Sequence, residues 1–153
     1  MKAGIDATWF LDFELPIAGG GALDAVGTFG DGKDFSVPLR YRAIPEYKVR
    51  SFLSVSDFVQ GLALVHWYID GTDVTLAYID YLLFPEIRNV DSFSKLDLHC
   101  TRTISDSAEI ILSVLNVLDE DAPLAPTDHG IDATGANPLG RMFEITFSYR
   151  LSD

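Results

Sequence analysis

The chain reads as all-β: a seven- to eight-stranded antiparallel β-sandwich, jelly roll or barrel with at most one helix, over 105–120. Three observations predict this class. The closing stretch from Arg141 to Leu151 alternates strictly, with Phe143, Ile145, Phe147, Tyr149 and Leu151 on one side and Glu144, Thr146, Ser148 and Arg150 on the other. A period of two belongs to a half-buried strand. The composition leans the same way, with ten Phe, six Tyr and two Trp among many β-branched residues. Turn residues recur between the apolar runs, as they do in sandwiches and barrels. At 153 residues the chain makes one domain, 1–153, able to bury a core without metal or disulfide staples.

Taken in order, the first strand is expected from Ala7 to Leu15, with Trp9, Leu11, Phe13 and Leu15 on one face and Pro16 as its stop. Six glycines between Ile17 and Lys33 predict a long loop over 16–34. Phe35 to Ala43 alternates again, and Pro38 on its polar side marks a sheet edge or bulge, since proline lacks a ladder N–H. Lys48 to Ser56 follows, with Val49, Leu53 and Val55 together. Leu62 to Ile69 and Thr72 to Phe84 flank Asp70-Gly71, a strong hairpin signal. A two-residue turn there sets Ile69 against Thr72, Trp67 against Val74, Val65 against Leu76 and Ala63 against Tyr78. The second face of that ribbon carries Leu64, His66 and Tyr68, so it is apolar on both sides and calls for a cover.

Lys95 to Ile104 is a further strand with Leu96, Leu98, Cys100 and Ile104 inward. The next segment, 105–120, admits two readings. Asp106 and Glu109 have capping-box spacing ahead of an apolar stripe, whereas its β-branched content fits a hairpin with the preceding strand through Ser105-Asp106-Ser107. The loop 119–140, rich in Pro and Gly, is of the length that is functional or ordered by a partner. The closing strand must then lie on a partner sheet, since each large side chain left in water forgoes about 1.5–3 kcal/mol.

The charge narrows the function. With 23 acidic and 11 basic side chains the net charge is −12, which repels phosphate backbones and anionic lipid. No direct nucleic-acid or membrane binding is expected. The basic group Arg40, Arg42, Lys48 and Arg50 reads as counter-charge. Cys100 is alone, so no intrachain disulfide forms. The start has Asp6 where a signal peptide needs an apolar run, and no stretch is long enough to span a bilayer.

No motif carries chemistry. Gly27 to Lys33 has phosphate-loop spacing but Asp34 stands where Ser or Thr must ligate magnesium. His99 and Cys100 are neighbours on a strand and point to opposite faces. His129 with Asp128 and Asp132, and the acidic run Asp119-Glu120-Asp121, have donors for a cation but read as a solvated loop. No serine has a nucleophile setting. No metal or cofactor is expected, and no enzymatic activity.

The closing strand, Gly140-Arg-Met-Phe-Glu-Ile-Thr-Phe-Ser-Tyr149, resembles the terminal strands of phage tail-tube subunits and viral jelly-roll coats, and the strand order with large Gly- and Pro-rich loops does too. That resemblance implies a particle subunit (capsid, decoration or tail) located in the virion or the host cytoplasm, and it supplies no catalytic residues. RNA-packaging coats carry a basic amino-terminal arm, whereas the first ten residues here are nearly neutral, so contact with a genome is not expected. The expected role is a non-enzymatic assembly subunit that self-associates and meets other particle proteins, with Leu64, His66, Tyr68, Ala77, Tyr81 and Leu83 at the interface. The alternative is a small β-barrel binding or transforming an apolar ligand near Trp67, Tyr78, Tyr81 and His66.

Overall fold

In a computed structural model, residues 1–16, 21–30, 41–57, 60–74, 89–125, 130–131 and 136–151 are described. Twelve strands and no helix occur among them: β1 (Lys2–Trp9), β2 (Glu14–Pro16), β3 (Ala22–Asp24), β4 (Thr28–Gly30), β5 (Tyr41–Ile44), β6 (Tyr47–Ser56), β7 (Gln60–Ile69), β8 (Thr72–Val74), β9 (Asn89–Val90), β10 (Phe93–Ser105), β11 (Ala108–Leu115) and β12 (Met142–Tyr149). The long ones form one six-stranded sheet in the order β1-β6-β7-β10-β11-β12. Every pairing in it is antiparallel. A four-stranded sheet, β5-β4-β8-β9, and the β2-β3 ribbon complete the described strands. The fold is thus all-β and built from open sheets. It is not a closed barrel, because β1 and β12 end the large sheet on either side.

Period two in the sequence becomes sheet wherever it is strong. β6, β7, β10 and β12 fall within two residues of their expected bounds, and 105–120 resolves in favour of the strand, with β11 turning back on β10 through Asp106 and Ser107. Ile110, Ile111 and Val114 supply the β-branched content that outweighs the capping signal. The first strand is displaced from its expected place: β1 runs Lys2–Trp9 and stops where the Phe10 N–H donates to the Glu46 carbonyl at 2.8 Å. Of the expected strand at 35–43, the described part begins at Tyr41, in β5. The expected loop 16–34 contains β3 and β4.

The Asp70-Gly71 hairpin does not form. β7 gives its two edges to β6 and β10, so Ile69 faces Lys48 and Phe93, and Trp67 faces Arg50 and Lys95. β8 instead joins the small sheet beside β4 and β9. A Cβ at Gly71 would stand 2.9 Å from the Val90 carbonyl oxygen, so glycine here serves close backbone contact as the chain leaves one sheet for the other.

The compact core belongs to the small sheet. Phe29, Val90 and Ala125 are buried together, with Ala43 and Val74 packed against them. The expected long loop therefore supplies Ala125 to the core, and a single bridge, Leu124 to Ile131, ties that segment.

Candidate functional site: an uncovered apolar sheet face

Residues opposite one another in an antiparallel ladder share a face, so the registers define both sides of the large sheet. One side carries Ala3, Ile5, Ala7 and Trp9 from β1, then Tyr47, Val49, Leu53 and Val55 from β6, and Leu62, Leu64, His66 and Tyr68 from β7. It continues through Leu96, Leu98 and Cys100 of β10, Ile110, Leu112 and Val114 of β11, and Phe143, Ile145, Phe147 and Tyr149 of β12. Arg102, at one end, is the lone charged side chain among these strand positions. Lys2, Asp6, Lys48, Arg50, Lys95, Asp97, Glu109 and Glu144 all fall on the other side.

Coverage runs against the usual pattern. The buried apolar residues of the large sheet, Val65 and Phe93, sit on the charged side, and no strand residue of the apolar side is buried. Phe143, Ile145 and Phe147 are 77%, 71% and 63% exposed, and Ile5 is 74% exposed. The closing strand thus pairs with β11 along one edge while its apolar side chains stay exposed, and Leu96, Leu98 and Cys100 are half-buried on the same side.

The charged side closes over itself by polar contacts. Asp97, buried, accepts from the Trp67 indole at 3.0 Å, the Lys95 ammonium at 3.1 Å and the Asn116 backbone N–H at 2.9 Å. Trp67 lies between two cations, with the Arg50 guanidinium 5.2 Å and the Lys95 ammonium 5.8 Å from its ring centre. His99 bonds the Ser113 hydroxyl at 2.9 Å on that side, away from Cys100 as alternation requires.

Of the residues expected at an interface, Leu64, His66 and Tyr68 stand in a row along β7 on the apolar side. His66 bonds the Ser94 hydroxyl at 2.8 Å. It faces Ser51 and Leu96. Ala77, Tyr81 and Leu83 lie outside the described residues. Sequence reasoning passed over the aromatic ladder at one end of the face, where Trp9 and Tyr47 are 5.5 Å apart and Tyr47 stacks on Tyr68 at 5.7 Å. The hydrogen bond to Tyr68, and then the Asp70 carboxylate, push the Tyr47 phenol above its ordinary value.

A concavity of about 670 Å³ opens on the same face between Val55, Leu62, Cys100, Ile110 and Leu112. Trp67 and His66 are neighbours on β7 and point to opposite sides, so the two do not line one cavity together, and Tyr78 and Tyr81 lie outside the described residues. Among the described residues no three His, Cys, Asp or Glu are placed to share a metal ion, and no helix is long and apolar enough to cross a membrane. Asp128, His129 and Asp132 lie outside the described residues. No family model, curated protein or solved structure matches this chain.

Proposed function

We propose that this chain is a non-enzymatic structural subunit that works by assembling with copies of itself through the apolar face of its large sheet. The observation that carries the reading is the separation of charge: a chain of net charge −12 keeps every charged side chain but Arg102 off the described strands of a face whose aromatic and aliphatic side chains are exposed or half-buried and nowhere fully buried. A soluble monomer has no use for such a face. Six strands about 4.8 Å apart and some eight residues long span roughly 700 Å², close to the ~800 Å² per partner that a stable protein interface buries. Leu64, His66 and Tyr68 sit near its middle, and Tyr47 and Trp9 bring the aromatic anchors that interfaces favour. The particle type, a phage or virus component in the virion or host cytoplasm with other particle proteins as neighbours, rests on the resemblance of the closing strand. The acidic surface fits a role without direct contact to nucleic acid.

Light scattering across a concentration series and negative-stain imaging test it. The expected outcome is species well above 16.9 kDa that grow with concentration. Leu112→Lys and Phe147→Lys, at exposed positions, should shift monomer stability by less than about 0.5 kcal/mol while dissolving the assembly. A wild-type chain that remains monomeric at millimolar concentration rules the reading out. The concavity beside Cys100 supports a second reading, an apolar ligand site, and displacement of a fluorescent fatty acid probes it.

A further inference from the structure

We infer that copies of this chain join head to tail, the free edge of β12 in one copy pairing antiparallel with the free edge of β1 in the next, so that the six-stranded sheets run on as one. The inference rests on the assembly reading above and adds a second joint, at the sheet edges, to the contact through the face. Both edges are eight residues long and exposed, and neither carries the proline or bulge that blunts sheet edges.

The backbone fixes how they fit. The Phe10 N–H donates to the Glu46 carbonyl at 2.8 Å and the Arg150 N–H to the Ser107 carbonyl at 2.8 Å. Each contact extends its ladder by one position, and antiparallel bonding alternates. Even-numbered residues of β1 and β12 therefore turn their N–H and C=O groups toward β6 and β11. The odd-numbered ones, Ala3 to Trp9 and Phe143 to Tyr149, turn theirs outward. On both edges the outward groups belong to residues of the apolar face. Because six strands is an even number, β1 and β12 run in opposite directions, and a head-to-tail joint is antiparallel. Any register that pairs the free backbone groups then also keeps the apolar side continuous.

One register adds side-chain fit. With Ile5 opposite Phe147, Ala3 meets Tyr149 and Ala7 meets Ile145, small against large, while Trp9 meets Phe143. On the charged side it sets Asp6 against Thr146, whereas a slip of two residues sets Asp6 against Glu144. Pairing β12 with itself would oppose large residues to large ones and leave the β1 edge bare. A repeated head-to-tail contact closes into a ring or runs on as a filament.

In a Cys100→Ser background, Thr8→Cys and Glu144→Cys stand opposite in the chosen register, at a non-hydrogen-bonded pair whose Cα atoms lie about 4.5 Å apart, within disulfide reach. Mild oxidation of the double variant should give a covalent ladder of dimers, trimers and larger species that reduction collapses. Each single variant should stay at monomer mass. Ala7→Pro removes an outward N–H without touching the β6 ladder, so species larger than face-to-face pairs should disappear while the strand circular dichroism is kept. If the wild-type chain assembles but the double variant gives no ladder and Ala7→Pro assembles unchanged, the edge joint is wrong and face-mediated assembly stands. Covalent dimers from Glu144→Cys alone mean that β12 pairs with itself, and these too overturn it. A wild-type chain that never leaves the monomer removes the assembly reading itself.

Discussion

Asp97 is the residue on which the charged side of the sheet turns. Its side chain is 6% exposed, and a carboxylate so placed is tolerable only because three donors reach it, among them an ammonium at 3.1 Å. Its bond to the Asn116 N–H also holds the turn after β11, where Asn116 has φ 53° and bonds Glu120 through both side-chain ends. Asp97→Ala would leave the Lys95 charge and the Trp67 indole without their acceptor, and we expect a loss of about 3–5 kcal/mol, read from the urea midpoint with tryptophan fluorescence as the signal. Nothing in the sequence marks Asp97, since a polar residue between Leu96 and Leu98 is what any half-solvated strand shows. Tyr47 gives a prediction of opposite kind. Its phenol, held neutral first by the Tyr68 hydrogen bond and next by the Asp70 carboxylate, has a folded value above the unfolded one. That contribution to stability is complete below about pH 10 and is lost as pH rises through the raised value. Absorbance at 295 nm should show a late-titrating component, and Tyr68→Phe should bring that component down.

Elements were legible where alternation was strong and silent where it was weak. β6, β7, β10 and β12 each carry a run of apolar residues at alternate positions, interrupted by Ser51 in β6 and Ser94 and Arg102 in β10. β1 alternates the small Ala3 and Ala7 with Ile5 and Trp9, too little contrast to outshine Trp9, Leu11, Phe13 and Leu15 downstream. The Asp70-Gly71 signal misled for a different reason. A turn dipeptide reports that the chain reverses or bends locally, whereas the partners of β7 are decided by which long strands compete for its edges, and β6 and β10 occupy them with nine and ten paired residues. The glycine was correctly singled out but serves another contact. Gly71→Ala would drive a Cβ toward the Val90 carbonyl, 2.9 Å away, and overpacking of backbone costs about 1–3 kcal/mol. Gly61→Ala, whose nearest neighbour would be an ordinary 3.5 Å away, should be far milder, and thermal unfolding of the two variants side by side checks the contrast. Alternation also shows that a strand has two faces without showing what lies on them. Reading apolar as inward put Leu96 and Leu98 in a core, and among the described residues they lie half-buried on a side where no strand residue is fully buried.

For the molecule as a whole, 10281 Å² of surface is accessible, where a compact monomer of 16.9 kDa exposes about 7,700 Å². For the assembly proposed, the exposed apolar side chains of the large sheet supply the driving force, and the net charge of −12 opposes it, because every added copy brings like charge with it. The two act over different ranges. Apolar contact needs touching surfaces, whereas the repulsion reaches across the Debye length, about 30 Å at 0.01 M salt and 3 Å at 1 M. Assembly through the apolar face should therefore strengthen with salt, by roughly tenfold in midpoint concentration, about 1.4 kcal/mol, between low and half-molar sodium chloride. It should also strengthen as pH falls toward the isoelectric point near 4.4. Assembly held by ion pairs would respond in the other direction, since salt screens attraction as readily as repulsion. Sedimentation velocity at two salt concentrations thus separates the cases: species that dissociate on raising the salt would place the contact on the charged side of the sheet, around Arg50, Lys95 and Asp6, and take it away from Phe143 to Tyr149.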